Sequence, residues 1–164
     1  MTNNDVLRRV RYIFDYNDKK MIAIFSQADH SVSREQISQW LKKEDDADYK
    51  SCRDETLAFF LNGLIASNRG KREGEQPVAE KKLSNNLILK KLKIALNLQS
   101  DDMLALLKLA GLPIGQHELS AFFRKPGHKH YRECKDQILR NFLQGLQLKH
   151  REGNEPEPEF QWKS

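Results

Sequence analysis

The chain has 164 residues, of which 38% are hydrophobic and 31% charged, and its formal net charge is +5. This composition is typical of a charge-rich globular protein, and no apolar run approaches the roughly 18 residues that a membrane span needs. The first residues lack the continuous apolar stretch of a signal peptide. The two cysteines, Cys52 and Cys134, lie in separate segments and form no disulfide framework. We therefore expect a reduced, cytoplasmic protein without membrane association.

One sequence pattern occurs twice in the chain. Asn3 and Asn4 recur 82 positions later as Asn85 and Asn86. The same offset relates YKSCRDETLAFFLNGL at 49–64 to YRECKDQILRNFLQGL at 131–146. The register holds without a gap over most of the chain, which indicates a duplicated module.

Each module is predicted to contain four helices. In the first they cover 3–14, 19–28, 33–43 and 52–70, and the second repeats them 82 residues later. Thr2 or Asn3, and Ser84 or Asn85, have the side chains preferred at a helix N-cap. No convincing period-2 strand is present. The predicted fold class is all-α, with two tandem four-helix modules packed together, and we expect pseudo-two-fold symmetry between them.

Polar segments separate the predicted domains. The first repeat is assigned to 1–70 and the second to 83–153. The stretch 71–82 contains Pro77 and reads as an exposed linker. The Pro- and Glu-rich end, 154–164, is predicted to be a flexible tail.

The residues shared by both modules do not point to catalysis. Cys52 and Cys134 precede the fourth helix, where a thiol can become reactive, but no matched histidine accompanies them, so packing is the favoured role. Gly63 and Gly145 fall inside the predicted fourth helix, where glycine is destabilising by about 1 kcal/mol. Their recurrence predicts close approach of another helix.

The loop before the fourth helix differs between modules. It carries four carboxylates in the first, whereas the second has His128 and His130 at two of those positions. These histidines and Cys134 fit no standard zinc spacing, and the acidic loop lacks the glycine and glutamate of a calcium loop. We expect no metal, no cofactor and no catalytic residue. The opposite charges also suggest that the loops attract each other, within one chain or between chains.

Basic residues recur at matched positions while Arg and Lys exchange freely, which fits phosphate neutralisation or simple solvation better than bidentate recognition of a base. Residues 83–153 hold 12 basic and 6 acidic side chains, whereas residues 1–70 hold 11 of each. Tyr12 and Ile94 fall on the same polar side of the first helix of each module. The candidate binding surface lies on the basic, solvent-facing sides of the helices, mainly in the second module, and comprises Arg8, Arg9, Arg11, Lys90, Lys91, Lys93, Arg124, Lys125 and Arg132.

The second and third helices of the second module resemble a helix-turn-helix, with a turn at Ala110 and Gly111. The first module has Asp29 where this turn glycine lies, which weakens the comparison. Short helix–turn–helix connections also occur in ordinary helical bundles.

The strings NNDVLRRVRYIF, QISQWLKKEDD, NNLILKKLKIAL and HKHYRECKDQILRNFLQGL resemble the YehS-like family, bacterial proteins built from a tandem domain of unknown function. The resemblance covers about Asn3 to Lys149 and implies an all-helical cytoplasmic protein, with no activity or site to carry over. We expect a non-enzymatic binding or adaptor protein whose partner is a nucleic acid or an acidic protein. The alternative is a structural protein that assembles into homo-oligomers; an enzyme is the third reading, because catalytic groups can converge from distant segments.

Overall fold

The computed structural model of the chain describes residues 1–151, and the predicted tail at 154–164 lies outside them. Within that range the chain forms eight helices and no strand, and it divides into two compact units built on four helices each. The prediction of an all-α fold with two repeated modules is confirmed. No helix in residues 1–151 is long and apolar enough to cross a membrane.

The first module consists of α1 (Asn3–Ile13), α2 (Asp18–Gln27), α3 (Arg34–Leu41) and α4 (Asp54–Arg69). The second consists of α5 (Asn85–Ala95), α6 (Ser100–Leu109), α7 (Gln116–Ala121) and α8 (Asp136–Arg151). Residues 71–84, between α4 and α5, contain neither helix nor strand.

Side chains just before the helices fix where several of them begin. Thr2 Oγ1 accepts a hydrogen bond from the N–H of Asp5, and the carboxylate of Asp5 accepts one from the N–H of Thr2. Ser33 and Gln36 make the same reciprocal pair before α3. Ser84 Oγ accepts from the N–H of Leu87, which cannot reciprocate. Thr2 and Ser84 are therefore the caps, and the following asparagines are free for another role.

The apolar residues predicted to face inward form the core of each module. In the first, Leu7, Phe25, Leu57 and Phe60 are fully buried, and the rings of Phe25 and Phe60 lie 5.4 Å apart. In the second, Leu89, Leu107, Leu139 and Phe142 are fully buried.

The close approach of another helix that the repeated glycines predict is present, and at Gly63 of α4 the neighbouring backbone is that of α2. A Cβ atom at Gly63 would overlap the carbonyl oxygen of Ile24, and one at Gly145 would overlap that of Leu106. The α2–α4 and α6–α8 pairs therefore approach more closely than any side chain at these positions would permit.

Helix α7 is shorter than predicted, and this moves two predicted binding residues. It ends at Ala121 instead of continuing to Lys125. The N–H groups of Phe122 and Phe123 bond three residues back, to Leu119 and Ser120, so the helix tightens into a turn. Pro126 disfavours helical geometry at the residue before it. Arg124 and Lys125 consequently lie in a loop and not on a helix face.

Candidate functional site

The loop between α7 and α8 is anchored by the side chain of Asn86, which is 7% exposed. Its amide nitrogen donates to the carbonyls of Phe122, at 3.0 Å, and Arg132, at 2.8 Å. Its oxygen accepts the backbone N–H of Cys134 at 2.9 Å. All hydrogen-bonding groups of one buried amide thus hold one loop, and loop residues 123–131 are tied at both ends.

Asn4 makes the same three bonds in the first module, to Trp40, Lys50 and Cys52, at 2.9, 2.8 and 2.9 Å. Its neighbour Asn3 donates to the carbonyl of Cys52 and to the carboxylate of Asp54. Asn85 donates likewise to Cys134 and Asp136. Sequence reasoning treated Asn3 and Asn85 only as candidate N-caps and gave Asn4 and Asn86 no role. The signal was the recurrence of the pair at the start of both modules.

The two cysteines are buried, free thiols. Burial, followed by the negative charge of Asp54, raises the pKa of Cys52 from 9.0 to about 12. Burial raises the pKa of Cys134 from 9.0 to about 12 as well, with added contributions from the charges of Asp136 and Glu133. Since the thiolate is the nucleophile and the metal ligand, neither residue is activated for that chemistry at neutral pH.

A groove of about 520 Å³ lies between α7 and the loop that Asn86 anchors. We call it the basic groove. Arg124, Lys129 and Arg132 line it, and none of them has a carboxylate partner within residues 1–151. The remaining lining residues are His117, Glu118, Ser120, Ala121, His130 and Tyr131. The groove therefore concentrates positive charge on a concave surface.

A smaller cleft of about 300 Å³ adjoins the basic groove and shares Arg124 and Tyr131 with it. We call it the aromatic cleft. Its further lining residues are Ser84, Asn86, Leu87, Lys90, Phe122, Phe123, Lys125 and Pro126. The aromatic cleft is mainly apolar inside, with lysines among its lining residues. A positively charged groove and an aromatic cleft thus lie side by side in the second module.

Both modules match a known protein family. The family model described as "Protein of unknown function (DUF1456)" matches residues 3–70 and again residues 85–152. The chain belongs to the DUF1456 family. The Uncharacterized protein YehS of Escherichia coli (strain K12) is 44% identical over 147 residues, which cover 89% of this chain and 94% of that protein. No solved structure matches the chain. The two DUF1456 matches confirm the predicted tandem repeat. The similarity to YehS confirms the resemblance to the YehS-like family.

The first DUF1456 module uses its predicted binding residues internally. Arg8 donates to the carbonyls of Leu41 and Lys42, at 3.4 and 2.8 Å, and its guanidinium lies 3.2 Å from the carboxylate of Asp5. Arg11 pairs with Asp18 at 2.9 Å. Arg9 is only 3% exposed, so the expectation that it lies on an exposed basic face is wrong.

The second DUF1456 module keeps most of its predicted residues accessible. Lys91 is 8% exposed, which corrects the expectation for it as for Arg9. Lys90, Arg124, Lys125 and Arg132 are exposed, and these four line the aromatic cleft or the basic groove. Lys93 is half-buried, with its ammonium 5.5 Å from the ring centre of Phe123. Sequence reasoning missed Lys129 because its counterpart in the first module, Ala47, is not basic. It missed Tyr131 because this residue, which recurs as Tyr49, was interpreted as a packing residue.

The histidines of the second loop are exposed and near each other. The rings of His128 and His130 lie 5.6 Å apart, and the N–H of His130 donates to Nδ1 of His128 at 3.0 Å. Cys134, the third residue considered with them, is buried. Within residues 1–151, no three His, Cys, Asp or Glu side chains are placed to hold a metal ion.

Proposed function

We propose that this protein is a non-enzymatic binding or adaptor protein that engages nucleic acid through the basic groove of its second module. One observation carries the proposal. Arg124, Lys129 and Arg132 meet in one groove without a carboxylate partner in the described part of the chain. Cations left without partners on a concave surface attract phosphates, whereas cations paired within the protein contribute little to such binding.

The contrast between modules supports this assignment. At the positions of Lys129 and His130 the first module has Ala47 and Asp48, so its loop carries no comparable positive charge. Arg8 and Arg11, its best-placed arginines, are held by Asp5 and Asp18. The second module is therefore the one expected to bind phosphates.

The raised pKa of both thiols argues against these two cysteines as catalytic nucleophiles. The proposal places the protein in the cytoplasm, where these cysteines stay reduced.

The test is fluorescence anisotropy with labelled duplex DNA and single-stranded RNA at about 50 mM and about 200 mM salt. We expect binding at low salt that weakens steeply as salt rises, because each phosphate contact releases counterions. The variant Arg124→Gln/Lys129→Gln/Arg132→Gln should lose affinity by at least about tenfold at low salt.

The matched control is Lys42→Gln/Lys50→Gln, which removes the first-module counterparts of Arg124 and Arg132. It should leave affinity nearly unchanged. No binding at low salt, or equal losses in the groove variant and the control, would contradict the proposal. Binding of polyglutamate without binding of nucleic acid would instead indicate an acidic protein as the partner.

A second candidate function, self-assembly, is favoured by the two exposed loops of opposite charge. Glu44, Asp45, Asp46 and Asp48 are all exposed in the first module, as is the stretch 126–130 in the second. Ile94, which occupies the position of Tyr12 in the second module and was interpreted with it as part of a contact surface, is 39% exposed. If the acidic loop of one copy docks on the basic groove of another, the mass measured by light scattering should rise with protein concentration and fall with added salt. A monomeric mass at low salt and high concentration would eliminate this candidate.

A further inference from the structure

The aromatic cleft lies where the second module lacks an arginine contact that is present in the first. In the first module the Arg8 side chain closes over the end of α3, donating to the carbonyls of Leu41 and Lys42 and pairing with Asp5. The corresponding residues of the second module are Lys90 and Leu87. Lysine lacks the forked guanidinium that reaches two carbonyls, and leucine cannot hold a cation in place.

Two backbone carbonyls at the same point of the second module lack the hydrogen bonds that their counterparts accept in the first. The carbonyls of Phe123 and Arg124, which correspond to those of Leu41 and Lys42, accept no hydrogen bond from residues 1–151. Lys90 is exposed and has no carboxylate partner in that range. The aromatic cleft thus combines an apolar interior with backbone acceptors that are available to a ligand.

The shape and chemistry of the cleft suit a planar, partly polar ring. Phe123, Pro126 and Tyr131 supply flat or aromatic surface, and its volume of about 300 Å³ lies at the lower end of the range for small-molecule sites. A nucleobase has π-faces that stack on aromatic side chains, and the exocyclic amino groups of adenine, cytosine and guanine can donate to carbonyls.

We propose that the second module binds single-stranded nucleic acid, with an unpaired base in the aromatic cleft and the flanking phosphates in the basic groove. Arg124 and Tyr131 line both, so base and phosphate would meet the protein at adjoining surfaces. In a duplex the bases are paired and stacked, and cannot enter the cleft without being extruded. The inference rests on the proposed function and narrows it to a ligand class.

The geometry favours this ligand over duplex DNA read by a helix-turn-helix. Helix α7, which would be the recognition helix, has six residues, and the cations lie beyond its C-terminal end instead of along it. Recognition helices contact base edges through residues in their N-terminal part. Here that part contains Glu118, whose carboxylate accepts the N–H of Gly115.

The experiment compares random-sequence single-stranded RNA, single-stranded DNA and duplex DNA of equal length by anisotropy, with inorganic polyphosphate as a competitor that carries phosphates but no bases. We expect single strands to bind at least about tenfold more tightly than duplex, the scale of one stacked base. The variant Leu87→Asn/Lys90→Arg, which we call the plug variant, introduces a guanidinium and a side-chain acceptor at the positions of Arg8 and Asp5 without changing net charge. It should reduce single-strand affinity to that of the duplex and leave polyphosphate binding unchanged.

A second variant tests the cleft independently, in case the first variant fails to fold. Tyr131→Leu removes an aromatic face from the cleft, and Tyr49→Leu makes the matched change in the first module. We expect only the former to weaken single-strand binding, by about tenfold, with the helical circular dichroism of both unchanged. Equal binding of all polyanions, or a plug variant that binds single strands as the unmodified protein does, would overturn the inference and leave the proposed function intact. Failure to bind any polyanion at low salt would overturn both.

Discussion

The side-chain oxygen of Asn86 accepts the backbone N–H of Cys134 at 2.9 Å, and Asn4 makes the same bond to Cys52 at the same distance. Each asparagine also donates to two carbonyls, one at each end of the same loop. Because both side chains are buried, the backbone groups they bind have no water to turn to if the amide is removed.

We predict that Asn4→Ala and Asn86→Ala each lower the free energy of unfolding by about 3 kcal/mol, since each leaves several buried backbone groups unsatisfied. Urea unfolding followed by circular dichroism measures the change. The control is Asn141→Ala, which removes a half-buried amide that donates to one backbone carbonyl, that of Ala110 at 3.1 Å. It should lower the free energy of unfolding by about 1 kcal/mol. Comparable losses of unfolding free energy in all three variants would mean that Asn4 and Asn86 stabilise the fold no more than Asn141 does.

The close helix pairs give a second prediction. Gly63→Ala and Gly145→Ala should each lower the free energy of unfolding by about 3 kcal/mol or more, because the added methyl group meets a backbone carbonyl that cannot rotate away. Gly115→Ala is the control: its nearest neighbour would be a carboxylate oxygen of Glu118 at 3.7 Å, an ordinary contact. Thermal unfolding of the three variants tests this, and an unshifted midpoint for Gly63→Ala would refute the close approach.

The buried thiols should be unreactive and should make stability depend on alkaline pH. Their folded-state pKa values, about 12, lie above 9.0, so the folded state retains protons that the unfolded chain loses. The stabilisation is complete below pH 9 and is lost as pH rises toward 12. A thiol-specific reagent at pH 8 should label the native protein far more slowly than the urea-unfolded protein. Rapid labelling of either cysteine in the native protein would show that the thiols are accessible.

His30 of the first module should titrate below the ordinary histidine range. Its ring stacks on Phe59 at 4.0 Å, and burial lowers its pKa, against the opposing charge of Glu55. With the folded-state pKa depressed, its contribution is full above pH 6.5 and is lost as pH falls through the folded-state value. NMR titration of the imidazole measures this directly. His30→Leu, which copies Leu112 of the second module, should reduce the loss of stability on acidification; a pKa at or above 6.5 would contradict the prediction.

The fold could be predicted from the sequence because the patterns that indicate its helices are local and occur in both modules. Helical periodicity located all eight helices of residues 1–151, and the repeated glycines indicated that another helix packs closely against the fourth helix of each module. The Asp29 position shows where residue type misleads: its φ of 58° places it in the same left-handed turn as Gly111, with a φ of 86°. The missing glycine therefore reflects no difference in the turn.

The site was harder to predict because it depends on long-range placement. A helical wheel assigns Arg9 and Lys91 to solvent, but burial depends on which elements pack over them, and one helix cannot reveal that. The basic groove arises from the early end of α7 and a loop folded back by Asn86, which is 46 residues from Arg132 in the chain. Charge counting indicated the more basic module, and only the folded backbone shows which cations meet.

A single amide anchors residues 123–131 at both ends, so the sequence of this loop can vary while its attachment to the helices is kept. Its ends are fixed by the same atoms as those of 41–49, and the two loops have equal length, yet one carries four carboxylates and the other carries arginine, lysine and histidine. The frame therefore places few demands on what lies between its fastening points. Under the proposed function, replacing residues 42–49 by residues 124–131 would give the first module the positive charges of the second and leave the bounds of the helices unchanged.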